Sequence, residues 1–137
     1  MENSVKKILG IDYGERKVGL AIADTETRMA FAFDTLDGAS KNFLENLKEI
    51  IRGENVEAVV IGIPSHINRV KVEYPGERLG KRIAAETGIK VFYQNEMFTT
   101  KMAKAHLLAK GVRGVDKVDD QEAARIILQE WLDGASI

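Results

Sequence analysis

Cysteine is absent from this 137-residue chain, and proline and histidine each occur only twice. Without cysteine there is no disulfide framework, no thiol nucleophile and no thiolate metal site. No apolar stretch approaches the roughly 18 residues that a membrane span requires. The opening MENSVKK has no long apolar run of the kind a secretory signal carries. These absences predict a cytoplasmic protein without a membrane partner. Neither sign of charge prevails: 20 Lys and Arg stand against 21 Asp and Glu, a formal net charge of −1. That balance argues against a non-specific nucleic-acid coat held by bulk charge, though not against a local basic surface. Basic residues do gather between positions 69 and 117, while acids dominate outside that stretch.

What is present is the composition of a folded protein, 45% apolar and 30% charged, and the length suits one domain spanning 1–137. Residues 5–13 are rich in Ile and Leu, Gly14–Glu15–Arg16 makes a turn, and 17–23 alternates loosely, which together read as a β-hairpin. The alternation in RMAFAFDTL adds a third strand, in which Phe31 and Phe33 are expected to face the core. The period then changes. Ser40 is a plausible N-cap for a helix carrying Phe43, Leu44, Leu47, Ile50 and Ile51 and ending near Gly53. VEAVVIGIP reads as a fully buried strand halted at Pro64, 76–86 as a helix stopped by Gly88, and IKVFYQNE as a strand ending near Glu96. Thr99 or Thr100 would cap a further helix towards Gly111. A last helix, opening at Asp119 or Asp120, would place Ala123, Ala124, Ile127, Leu128, Trp131 and Leu132 on one stripe. Three consecutive strands suit an antiparallel meander, and strands separated by helices need parallel crossovers. The fold class expected is α/β: a mixed five-stranded sheet flanked by helices.

Asp12 stands out, because it interrupts the apolar run KILGIDYG, and a carboxylate leaving water needs compensation. In an extended strand Ile8, Gly10 and Asp12 share one face, and Gly10 leaves room for another group to approach. Glu96 falls at the carboxyl end of the last strand, where α/β sheets bind ligands. Asp119 and Asp120 open the last helix. Three carboxylates within about 4–6 Å repel strongly, and a hard divalent cation relieves the repulsion. Oxygen-only ligation selects Mg²⁺ or Mn²⁺, metals that assist phosphodiester hydrolysis. Plainer readings compete: Asp12 as a turn former, Asp119 or Asp120 as an N-cap, and Glu96 as a solvated strand end.

Three blocks carry a family likeness. GIDYGERKVGLAIAD, VVIGIP and VDDQEAARIILQEWL, with NEMFTT between the last two, resemble the YqgF/RuvX family of Holliday-junction resolvases and pre-16S rRNA nucleases over nearly the whole chain. The resemblance implies a ribonuclease H-like fold and metal-dependent hydrolysis of nucleic-acid phosphodiesters. The implied substrate roles are trimming of the 16S rRNA precursor and resolution of branched DNA. It assigns the family's acidic positions to Asp12, Glu96 and Asp120, with Asp12 and Asp120 as direct metal ligands. Asp120 is chosen over Asp119 because the family acid stands three residues before the Ala123–Ala124 pair.

The sequence also departs from the family pattern. Met97 stands where an arginine is usual, Asn95 replaces an acid, and SHINRVKVEYPG replaces the family's loop after Pro64. Met cannot supply a guanidinium's fixed phosphate donors. Arg69, Lys71, Arg78 and Arg82 are therefore the candidate substrate contacts, holding phosphates without reading sequence. The partner expected is nucleic acid, structured RNA first and branched DNA second, with a homodimer as one permitted assembly. The alternative to a nuclease is a non-catalytic nucleic-acid- or ribosome-binding module that keeps the fold. His66 sits in a polar loop where a substrate or proton-transfer role competes with plain solvation, and His106 reads as a structural or exposed helix residue.

Overall fold

The structure, a computed structural model, describes residues 5–64, 73–95 and 115–134, with the side chains of the last segment described from Asp120 onward. Its elements are β1 (Lys7–Tyr13), β2 (Lys17–Asp24), β3 (Ala30–Asp37), α1 (Phe43–Gly53), β4 (Val56–Ile63), α2 (Pro75–Thr87), β5 (Lys90–Asn95) and α3 (Val115–Gly134). The strands form one five-stranded sheet in the order β3-β2-β1-β4-β5. β1, β2 and β3 pair antiparallel, whereas β1–β4 and β4–β5 pair parallel. This is the mixed sheet that the sequence order requires. Because β1, β4 and β5 run the same way, their carboxyl ends share one edge of the sheet.

The pleat divides the core in two. Leu9, Ile11, Val18, Leu20, Val59 and Ile61 turn to one face and pack against Phe43, Leu47 and Ile51 of α1 and Leu79 and Ile83 of α2. Ile8, Ala21, Ala23, Ala30, Ala58 and Val60 turn to the other, against Ala124, Ile127, Leu128 and Leu132 of α3. The second face is built largely from alanine, so α3 lies close to the strands. Gly10 permits part of this approach: a Cβ there would come within 2.7 Å of the Leu128 Cβ. The room expected beside Asp12 is filled by α3.

Local chemistry sets the element ends. At the start of α2, Pro75 needs no N–H partner and Glu77 accepts a hydrogen bond from the Tyr74 N–H at 2.9 Å. Gly88 ends that helix at φ +76°, a conformation glycine adopts without strain. Three expectations are corrected. Ser40 does not cap α1; its Oγ accepts from the Asn42 N–H in the turn before the helix, which begins at Phe43. α3 begins at Val115, so neither Asp119 nor Asp120 is its N-cap. Phe31 is 59% exposed, because β3 is an edge strand, whereas Phe33 packs on the α1/α2 core. The helix expected between Thr99 and Gly111 lies outside the described residues, as do Met97, His66 and His106.

Candidate active site

Asp12 is the penultimate residue of β1, and its direct partner across the antiparallel ladder is Gly19 of β2. Residues opposed in this way project to the same face, with Cβ atoms about 4.5–5.5 Å apart. Gly19 has no Cβ, and the space it leaves is occupied by Asp120. A Cβ built on Gly19 would fall 2.0 Å from the Asp120 carbonyl oxygen and 2.9 Å from the Asp120 Cβ. Adding the 2.9 Å to the cross-strand distance bounds the Asp12–Asp120 Cβ separation at roughly 8 Å. Two carboxylates from chain positions more than a hundred residues apart in sequence are thus brought to one place, on the α3 face near the carboxyl edge of the sheet.

The helix is fixed there by its next residue. Gln121 Nε2 donates to Thr35 Oγ1 at 2.9 Å, and Thr35 is the partner of Gly19 in the β2–β3 ladder. Thr35, Gly19 and Asp12 therefore form one row across β3, β2 and β1, and α3 is tied to its outer end. One residue further on, Glu122 is gripped by both Nε and Nη2 of Arg125 at 2.9 and 2.7 Å. Hydrogen bonding to Glu122 raises the affinity of the Arg125 guanidinium for its proton. Glu122 is thereby occupied on its own helix.

Of the other predicted residues, Glu96 directly follows Asn95, the last residue of β5, and lies outside the described residues, as do Arg69 and Lys71. Arg78 and Arg82 lie on α2, across the sheet from Asp12. Arg78 donates to the Glu73 carbonyl at 3.2 Å and Arg82 to a Glu86 carboxylate oxygen at 2.9 Å. Among the described residues, no group of three or more His, Asp or Glu side chains is placed to hold a metal ion. The described part of the site is a two-carboxylate arrangement.

Sequence reasoning missed Gly19, Thr35 and Gln121. The signal for Gly19 was present: a glycine inside a strand marks close backbone approach, and the short hairpin sets the register that opposes it to Asp12.

A mixed five-stranded sheet in this strand order, with helices packed on both faces, is the ribonuclease H-like arrangement. The chain itself belongs to the RuvX family, described as Holliday junction resolvase, which matches residues 6–134. A Caldanaerobacter subterraneus protein named "Putative pre-16S rRNA nuclease" is 34% identical, with 93% of this chain and 96% of that protein covered. A Burkholderia ambifaria protein of the same name is 31% identical, covering 94% of this chain and 90% of its own length. Among solved structures, the fowlpox virus Holliday junction resolvase superposes with TM-score 0.60 at 12% identity, covering 94% of this chain and 99% of that one. T. thermophilus RuvC, in complex with a Holliday junction substrate, gives 0.56 at 19% identity and 93% of each chain. At such identities these two structures establish the fold.

Proposed function

We propose that this chain is a cytoplasmic, divalent-metal-dependent nuclease that hydrolyses nucleic-acid phosphodiesters in 5′ processing of pre-16S rRNA, with branched DNA as a second substrate. The observation that supports the reading is the contact of Gly19, the cross-strand partner of Asp12, with Asp120, which bounds the separation of the two acids' Cβ atoms at roughly 8 Å. A pair of neighbouring carboxylates is an all-oxygen donor set. It fits Mg²⁺ or Mn²⁺, hard cations that prefer such ligands, and a chain without cysteine offers no thiolate alternative. Asp12 and Asp120 would hold the cation, which would supply Lewis acidity for activating water and stabilising the leaving oxygen.

The residues divide the work. Asp12, on a central strand, provides a rigid oxygen ligand, and Asp120 provides a second from the helix. Glu96, joined directly to β5, completes the site as a further ligand or orients the attacking water. Arg69, Lys71, Arg78 and Arg82 hold phosphates of the substrate strand and carry no sequence information. Names of relatives in two bacterial genera support the rRNA assignment, and the resolvase title of a structural neighbour supports branched DNA.

The test is cleavage of a labelled 16S rRNA precursor and of a four-way DNA junction with Mn²⁺, comparing the native protein with Asp12→Asn. Cleavage by the native protein and its loss in the variant is expected. Equal rates would trace the activity to a contaminant and overturn the reading. Binding of both substrates without turnover by the native protein would instead support a non-catalytic binding module, the role that Met97 in place of an arginine suggests.

A further inference from the structure

The sheet has a second face at the same edge, and the residue after Asp12 opens onto it. Tyr13 points opposite to Asp12 by the pleat and packs towards α1, its ring 5.9 Å from that of Phe43 at an angle of 42°. Between these rings and the first turns of α2 lies a groove of about 260 Å³ bordered by Tyr13, Phe43, Pro75, Leu79, Arg78 and Arg82. It is aromatic and aliphatic at its base and cationic at its rim.

The Arg78 charge of that rim is not cancelled within α2. Glu73 is paired with Lys81, and Glu86 is shared by Lys48 and Arg82. Glu77 accepts from the Tyr74 N–H at the helix start. Arg78 is exposed, bonds the Glu73 carbonyl, and forms no ion pair with a described carboxylate. The positive end of the α2 dipole lies beside it at Pro75 and adds to the same sign.

We propose that this groove is a subsite for one unpaired nucleotide of the substrate strand, its base against Tyr13 and its phosphate on Arg78. The substrate class rests on the nuclease reading above. Three features favour that occupant. An aromatic face beside an exposed guanidinium is the combination that binds single-stranded nucleic acid, stacking the base and neutralising the backbone. The volume lies below the roughly 300–1,000 Å³ of ordinary small-ligand pockets, which suits a single base. Tyr13 is also covalently adjacent to Asp12, so a strand delivering a phosphodiester to Asp12 across the sheet edge reaches Tyr13 with its neighbouring nucleotide. A base in a duplex has both faces stacked and cannot enter, so the subsite selects an unpaired flank next to the cleaved bond.

The experiment is metal-free binding, in EDTA, of a single-stranded RNA carrying 2-aminopurine, read by anisotropy and by 2-aminopurine fluorescence. Native protein is expected to bind and to shift the 2-aminopurine emission. Tyr13→Leu should weaken binding about tenfold and abolish the shift, and Arg78→Ala should weaken it about tenfold. Tyr13→Phe should keep both. Arg78 is exposed, so its variant tests the site without disturbing the core. Native affinity in both Tyr13→Leu and Arg78→Ala overturns the subsite, even if Mn²⁺-dependent cleavage is intact. Loss of binding in both, together with cleavage unaffected by Asp12→Asn, leaves the subsite standing and overturns the nuclease reading instead.

Discussion

The main chain of Asp120 rests on the bare Cα of Gly19, where a methyl group would fall 2.0 Å from the Asp120 carbonyl oxygen. The neighbour is helix backbone and cannot swing aside, so Gly19→Ala must push α3 away from the sheet. Overpacking of this kind costs about 1–3 kcal/mol. A urea titration should show that loss, and nuclease activity should fall further because Asp120 moves from Asp12. Gly53→Ala is the control, since nothing lies within 4 Å of a Cβ at that position. It should be neutral or slightly stabilising.

A ligand that binds only the folded state stabilises it in proportion to its saturation, by about 2.7 kcal/mol at a hundredfold excess over its dissociation constant. Mn²⁺ should therefore raise the thermal midpoint of the native protein, and EDTA should reverse the rise. In Asp12→Asn and in Asp120→Asn the rise should shrink or vanish. An equal rise in all three proteins would place the binding cation elsewhere. Differential scanning calorimetry with and without Mn²⁺ decides this without any nuclease assay.

The halves of the site differed in how far the sequence exposed them. Asp12 was legible because a charge inside KILGIDYG contradicts its surroundings, and alternation placed it on the Gly10 face. The meander and the parallel strands were legible because their periods are short and local. The start of α3 was not: VDKVD offers few apolar positions to set a helical period, so the acids looked like caps although the helix begins at Val115. Phe31 misled for a different reason. Alternation assigns a face, yet whether anything covers that face depends on β3 being the sheet edge, which is a tertiary fact. Gly19 carried a local hint, but its meaning required α3 to be docked.

Thr35 and Gln121 touch neither acid carboxylate as ligands, yet their hydrogen bond anchors the residue beside Asp120. Removing one such bond costs about 1 kcal/mol of stability. Thr35→Val keeps the shape and deletes the acceptor, so it should lower kcat more than it raises KM for the RNA precursor. A purely structural role would lower the unfolding free energy and leave kcat per folded molecule unchanged. Measuring both on the same preparation separates the two.

Lys48 of α1 reaches Glu86 of α2 at 2.9 Å, and Arg82 reaches the same carboxylate from its own helix at 2.9 Å. Hydrogen bonds from Lys48 first and Arg82 second hold the Glu86 carboxyl below its ordinary value of 4.5. A carboxylate whose folded value is depressed adds stability at pH above the unfolded value and loses it as pH falls through the folded one. Glu86→Gln should accordingly lower the thermal midpoint near neutral pH, and its difference from the native protein should narrow below about pH 4.5 as Glu86 takes up its proton. The pairs are partly exposed, so the difference should be small and should also narrow in about 1 M salt, where the Debye length is roughly 3 Å. A difference that stays constant through the acid range would mean that Glu86 joins the two helices by packing of its aliphatic stem, and not by its charge.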